Sequence, residues 1–171
     1  MKGKWAAGIA PRNFTWIMKD QLAISERPGG YARSHRPVRR QEEIIWIREQ
    51  RFSRVVSLLA SPHNLHSYEE LGVVAEHFPF GLHDDPRPFL ANLYARMAVL
   101  LGAGEKLLMH QEELSDRLLG VVAGYLVWAR IVPLPAEAIS IVEQITQRQM
   151  GSPGRELVSV AVELAGAGPE Q

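Results

Sequence analysis

The sequence of 171 residues contains no cysteine. This absence excludes disulfide bonds, zinc sites with thiolate ligands and every enzyme mechanism that uses a thiol nucleophile. The sequence also lacks an apolar run of the roughly 18 to 20 residues that a membrane-spanning helix needs. Its first residues, Met1 to Ala10, are too few and too weakly apolar for a secretory signal. We therefore expect a cytoplasmic protein without membrane association, folded as a single domain over residues 1–171 with its core at about 13–165.

The net charge is zero, but the charges are unevenly distributed. Residues 1–55 carry 12 Lys and Arg against 5 Asp and Glu, whereas the rest carries 7 against 14. The basic part is densest at Arg33, Arg36, Arg39 and Arg40. This segment is either a solvated loop with a first helical turn or a docking patch for an acidic partner. No pattern of aromatic side chains accompanies these charges, so we expect no nucleic-acid binding.

Hydrophobic periodicity predicts strands that alternate with helices. Strand patterns occur at 16–18, 21–24, 54–60, 73–80 and 106–109, and helical patterns occur at 39–51, 68–71, 85–101, 117–130, 135–147 and 153–164. Ser152 is the predicted N-cap of the last helix, with Pro153 at its first position. The order indicates an α/β fold with a central, mostly parallel sheet and helices on both faces. Functional loops follow the carboxyl ends of such strands, here after Ala60, Phe80 and Met109.

The segment from Lys106 to Ser152 resembles the dual-specificity branch of the protein tyrosine phosphatase superfamily. That family has a strand ending in His, then Cys-x-x-Gly-x-x-Arg-[Ser/Thr]-Gly, then an apolar helix and a helix with an Ala-Ile pair. Here a strand ends at His110, a loop runs from Gln111 to Arg117, and Ala138-Ile139 follows in a later helix. The resemblance implies the protein tyrosine phosphatase-like fold, and it implies that this loop corresponds to the phosphate loop of active relatives.

The phosphate loop is degenerate in this sequence. Its residues are His110, Gln111, Glu112, Glu113, Leu114, Ser115, Asp116 and Arg117. Gln111 matches the family's nucleophilic cysteine, and its carboxamide cannot form a phospho-enzyme. Leu114 matches the glycine that lets the backbone turn around phosphate, and Leu118 matches a hydroxyl residue that helps the thiolate to leave. The resemblance therefore implies a pseudophosphatase, in which cysteine-dependent phosphatase activity is excluded.

The charge of this loop also disfavours phosphate. Three carboxylates accompany Arg117, the loop's single cation; they belong to Glu112, Glu113 and Asp116. Two unit charges about 4 Å apart interact by roughly 4 kcal/mol at an effective dielectric near 20, whereas a helix N-terminus attracts an anion by about 0.3–2 kcal/mol. We therefore expect Arg117 to pair with a carboxylate of its own loop.

The family's general acid is an Asp in the loop after the preceding strand. An ungapped match places that position near Phe80, and Asp84 and Asp85 follow four and five residues later. These two are the candidate acid-loop residues. Asp85 before Pro86 is also typical of a helix start, with Asp85 as the N-cap, and we favour that interpretation.

Histidines and carboxylates concentrate in the three predicted loops. The set is His63, His66, His83, Asp84, Asp85, His110, Glu112, Glu113 and Asp116. These donor types suit a divalent cation, with His63, His66 and His83 as candidate ligands. The other interpretation is ordinary polar loops in which His110 has a structural role. We favour the second interpretation and expect no metal and no other cofactor.

A serine hydrolase built on Ser115 is a further alternative. It needs a base within hydrogen-bond reach, and His110 lies five residues earlier. No Gly-x-Ser-x-Gly motif surrounds Ser115, which makes this alternative weak.

Two hypotheses remain open at the level of sequence. The first is a non-catalytic binding module that holds a protein partner in the former crevice or on the basic N-terminal face. The second is a hydrolase with altered, metal-assisted phosphoester chemistry in the same crevice. The loop length preserved between His110 and Arg117 favours the first hypothesis, because the scaffold has stayed while the nucleophile is missing.

Overall fold

The computed structural model describes residues 7–30, 37–62 and 65–166, which form two compact units. Among these described residues, the sheet unit comprises those up to Gly81 together with Ala103–Leu114. The helical unit comprises Leu82–Gly102 and residues 115–166. The chain therefore passes from the sheet unit to the helical unit between Leu114 and Ser115. That the whole chain forms one domain stays a prediction.

A five-stranded mixed sheet is the centre of the sheet unit. Its strands are β1 Thr15–Met18, β2 Leu22–Glu26, β3 Arg54–Ser57, β4 Ala75–His77 and β5 Leu107–Gln111. Their order across the sheet is β1-β2-β5-β3-β4. Only the β1–β2 pairing is antiparallel among these strands, which confirms the predicted α/β class with a mostly parallel sheet. Ser25 of β2 and Ser57 of β3 lie opposite His110 of β5, so the carboxyl ends of these strands meet at one edge.

Two helices belong to the sheet unit, α1 Pro37–Glu49 and α2 Leu65–Glu70. Ile44 and Ile47 of α1 are fully buried and belong to one apolar cluster with Val55 of β3 and Leu108 of β5. Each such side chain contributes roughly 1.5–3 kcal/mol when it leaves water. The buried side chains of α1 are therefore part of the core of the sheet unit.

The strand β4 is shorter than the predicted 73–80. Pro79 lacks an N–H group and cannot continue a regular ladder. The residues on either side of it still donate to the neighbouring segment, since the N–H of Phe78 bonds to the carbonyl of Ser57 at 2.9 Å and that of Phe80 to Leu58 at 3.3 Å. The chain therefore stays hydrogen-bonded to the segment at Ser57 and Leu58 beyond the end of β4.

Four helices form the helical unit: α3 Pro86–Gly102, α4 Asp116–Trp128, α5 Pro135–Thr146 and α6 Ser152–Gly166. The helix α4 is buried on all sides from Leu118 to Val127, as its apolar sequence predicts. It lies so close to α6 that a Cβ atom on Gly120 would be 2.5 Å from the carbonyl oxygen of Gly154. No helix in the described part of the chain is both long enough and apolar enough to cross a lipid bilayer.

Candidate functional site

The buried His110 ends the core part of β5 and has both ring nitrogens engaged. Its Nε2 lies 2.9 Å from the hydroxyl of Tyr68, and its Nδ1 lies 3.3 Å from the carbonyl oxygen of Gln111. A carbonyl can only accept, so Nδ1 carries the proton and Nε2 accepts from Tyr68. Burial lowers the pKa of His110 to about 4, against the opposing effect of its bond to Gln111. The imidazole is therefore neutral at pH 7, as the structural interpretation of this residue requires.

The next residues of the loop stay in the sheet unit. Gln111 is the last residue of β5 and lies in register with Glu26 of β2. The exposed carboxylate of Glu112 lies 3.9 Å from the guanidinium of Arg27, and its carbonyl accepts from the Arg27 N–H at 3.5 Å. Leu114, at the family's glycine position, is buried and is not among the residues with positive φ. Leu114 thus does not adopt the left-handed conformation that favours glycine.

Ser115 is the N-cap of α4. Its backbone is extended and its hydroxyl accepts from the N–H of Leu118 at 3.1 Å. A serine nucleophile would need a base that removes its proton. His110 is unsuited to that role because both of its nitrogens are already hydrogen-bonded and its pKa is low. The geometry therefore argues against the serine-hydrolase alternative and gives Ser115 a capping role.

Asp116 joins the first turn of α4 to the start of α6. Its two carboxylate oxygens accept from the backbone N–H groups of Gly151 and Gly154, each at 2.5 Å. These bonds satisfy donors that a helix N-terminus leaves without partners. The helix begins at Ser152, which was the predicted N-cap, so the cap comes from a side chain 35 residues away in sequence. That Arg117 pairs with a carboxylate of its own loop stays a prediction.

Arg117 lines a pocket of about 430 Å³ in the helical unit. The pocket is lined by Leu82, Asp84, Pro86, Ser115, Asp116, Arg117, Pro153, Glu156 and Leu157. Burial lowers the pKa of Arg117, and the negative charge of Asp84 opposes that effect. The negative charge that opposes the burial effect on Arg117 therefore belongs to the candidate acid loop.

Asp85 has the capping role that the sequence favours. Its Oδ1 accepts from the backbone N–H of Arg87 at 3.0 Å, at the start of α3. This confirms the N-cap interpretation and leaves Asp84 as the acid-loop residue that lines the pocket. His83, the neighbour of Asp84, is exposed.

The candidate metal ligands are not assembled in the described part of the chain. His63 lies outside the described residues, whereas His66 lies on α2 in the sheet unit. Among residues 7–30, 37–62 and 65–166 there is no group of three or more His, Asp or Glu that could hold a metal ion. The described members of the donor set that the sequence suggested therefore form no metal-binding group.

The basic N-terminal segment is described only in part. Arg33 and Arg36 lie outside the described residues. Arg39 pairs at 3.1 Å with Glu43, whose pKa is raised by burial and lowered in part by a hydrogen bond from the Gly29 N–H. This arginine thus compensates a buried carboxylate, and the docking patch for an acidic partner stays a prediction.

Comparisons with known proteins identify the fold of this chain. No protein-family model and no curated protein matches the sequence. Kinase-associated phosphatase with its catalytic cysteine replaced by serine is similar at a TM-score of 0.76 and 15% identity, over 94% of this chain and 99% of that one. Tk-PTP in its active form is similar at a TM-score of 0.70 and 20% identity, over 88% of this chain and 97% of that one. Human DUSP28 is similar at a TM-score of 0.63 and 17% identity, over 92% of this chain and 99% of that one. The chain therefore has the fold of the dual-specificity phosphatases of the protein tyrosine phosphatase superfamily, without the cysteine.

Proposed function

We propose that this chain is a non-catalytic binding module, a pseudophosphatase, that holds a protein partner at the Arg117 pocket. The proposal rests on the negative charge of Asp84, which opposes the lowering of the Arg117 pKa by burial. The resemblance implies that the matching arginine of active relatives binds the phosphoryl group of the substrate. Here a carboxylate of the same chain compensates Arg117, and Gln111 stands where the nucleophile would be.

The charges that line the pocket disfavour the binding of an oxyanion. One guanidinium faces three carboxylates among the lining residues, namely those of Asp84, Asp116 and Glu156. Asp116 already occupies the N–H groups at the start of α6. A phosphoryl dianion would have to displace a resident carboxylate, and each like-charge contact at about 4 Å is unfavourable by roughly 1–4 kcal/mol, depending on the dielectric.

Apolar side chains give this pocket a different use. Leu82, Pro86, Pro153 and Leu157 form much of the lining, and Leu82 is 82% exposed. A concave site of about 300–1,000 Å³ with apolar walls and a few polar groups suits an anchor side chain of a partner. We infer that the partner inserts an uncharged, apolar side chain here.

The test of the proposal has two measurements. Hydrolysis of para-nitrophenyl phosphate, with and without millimolar Mg²⁺, Mn²⁺ or Zn²⁺, should stay at the buffer rate for the full chain. Turnover that disappears in Arg117→Gln would contradict the proposal and favour the metal-assisted hydrolase.

A photoreactive residue at position 82 gives the positive measurement. It should cross-link a discrete partner in cell extract, whereas the same residue at Val99, which is exposed on α3 and does not line the pocket, should not. Identical products from both positions would contradict a binding site at the pocket.

A further inference from the structure

A second groove of about 350 Å³ lies at the carboxyl ends of α4 and α6, the ends opposite to those that form the Arg117 pocket. It is lined by Val127, Arg130, Pro133, Val162, Ala165 and Gly166. Its walls are apolar except for one guanidinium. The groove thus combines a hydrophobic surface with a single positive charge.

Exposed apolar side chains lie on the segment that forms one wall of this groove. Ile131 is 50% exposed and Leu134 is 60% exposed, on either side of the lining residue Pro133. Val162 of α6 is also among the exposed apolar residues. Single exposed apolar residues are ordinary, but several beside a groove mark an interaction site more often.

The segment that carries Ile131 and Leu134 is held in a defined conformation. The N–H groups of Ile131 and Val132 both donate to the carbonyl of Leu126, at 2.9 and 3.1 Å. Arg130 has a φ of 61°, and Val132 is buried beneath the segment. A surface that is already ordered loses less conformational entropy on binding than a flexible one.

Leu134 is an unfavourable choice for the fold. It is the N-cap of α5, and no side-chain hydrogen bond caps that helix start. Ser, Thr, Asp or Asn at this position would accept from the free N–H groups. A leucine that both leaves a helix uncapped and exposes its own side chain breaks two local rules at once, and such violations concentrate at functional positions.

Arg130 has no carboxylate partner among the described residues. Two other surface arginines of the helical unit are paired, Arg87 with Glu163 and Arg155 with Glu143, whereas the exposed Arg148 is in no ion pair with a described residue. A guanidinium presents a planar fork of donors that binds a carboxylate in two parallel hydrogen bonds. Its position beside apolar walls therefore specifies a ligand with both an acidic and an apolar part.

We propose that this groove docks an extended segment of a partner protein that carries Leu, Ile or Phe next to Asp or Glu. The apolar side chain packs on Pro133, Ile131 and Leu134, and the carboxylate binds Arg130. This surface is separate from the Arg117 pocket, and the proposal stands without the function argued for that pocket.

The test uses random peptides of about twelve residues, selected by phage display on the full chain and remeasured by fluorescence polarisation. Selected sequences should pair an apolar residue with an acidic one. Arg130→Glu should weaken them about tenfold or more, the loss expected for a broken bidentate ion pair. Replacing the acidic residue of the peptide by Lys should restore binding to Arg130→Glu.

Leu134→Ser separates a docking role from a structural one. The serine can cap α5, so the melting temperature should rise by about 2–4 °C, while peptide affinity falls about tenfold. Val99→Ser, at an exposed apolar residue of α3 outside the groove, is the matched control and should bind as the unaltered chain does. Failure to select any peptide, or selected peptides that bind Arg130→Glu and Leu134→Ser unchanged, would overturn the proposal.

Discussion

The hydroxyl of Tyr68 lies 2.9 Å from Nε2 of His110, and both side chains are almost completely buried. This bond holds the imidazole in the tautomer whose Nδ1–H donates to the carbonyl of Gln111. The folded protein therefore requires a neutral histidine near the end of β5. Protonation of the His110 ring should therefore destabilise the sheet unit.

Stability should consequently fall in mild acid. Burial lowers the pKa of His110 from its ordinary 6.5 to about 4, so the unfolded chain binds more protons than the folded one between these values. The contribution of neutral His110 to the free energy of unfolding is complete above about pH 6.5. It falls by at most about 3 kcal/mol as the pH decreases towards 4. Urea unfolding of the chain across this range measures the slope.

Two variants define what that slope means. His110→Gln should remove most of it, although the variant is less stable at pH 7, whereas His83→Gln, at an exposed histidine, should leave it unchanged. An identical slope in His110→Gln and the unaltered chain would show that other groups carry the pH dependence.

Asp116 should contribute to stability as the cap of α6. Asp116→Ala leaves the N–H groups of Gly151 and Gly154 without their acceptor, and we expect a loss of about 1–3 kcal/mol in the free energy of unfolding. Glu113→Ala, an exposed carboxylate of the same loop, is the control. Chemical denaturation that finds the two variants equally stable would contradict the capping role.

The close approach of α4 and α6 predicts a second stability effect. Gly120→Ala places a Cβ atom 2.5 Å from the Gly154 carbonyl oxygen, and because backbone must move to relieve the clash we expect a loss of about 1–3 kcal/mol. Gly102→Ala, where a Cβ would meet nothing within 4 Å, should be neutral or slightly stabilising in thermal melts. Equal melting temperatures for both variants would be inconsistent with the observed packing.

The local elements of this fold could be predicted because their signals are local. The apolar runs of β5 and α4 and the Asp85 cap before Pro86 specify structure through neighbours in sequence. The length of β4 was harder to predict, because Pro79 ends the strand only if its position would have to donate an N–H group to the adjacent strand.

The site was predictable in chemistry but not in pairing. The absence of cysteine and the identity of Gln111 exclude the family's reaction without any coordinates. By contrast, Asp84 and Arg117 are 33 residues apart, and Asp116 reaches Gly151 across 35 residues. Only the tertiary fold decides which carboxylate serves the arginine and which serves a helix start. A cap supplied from another helix leaves no signal in the sequence around the helix that it stabilises.

Removing the resident carboxylate should partly restore affinity for oxyanions. Asp84→Asn keeps the shape of the side chain but leaves Arg117 without that compensating charge. We expect sulfate to bind this variant about threefold to tenfold more tightly than the unaltered chain, the range of one exposed charge interaction. The double variant with Arg117→Gln should lose the gain, and a gain that persists in it would place the binding elsewhere.

If the Arg117 pocket does not bind oxyanions, orthovanadate should leave it unchanged. Titration of the full chain with orthovanadate, followed by the NMR signal of the Arg117 Nε–H group, measures this binding. We expect no saturable shift up to about 1 mM vanadate, an affinity weaker than about −4 kcal/mol. A saturable shift at micromolar vanadate, abolished in Arg117→Gln, would contradict it.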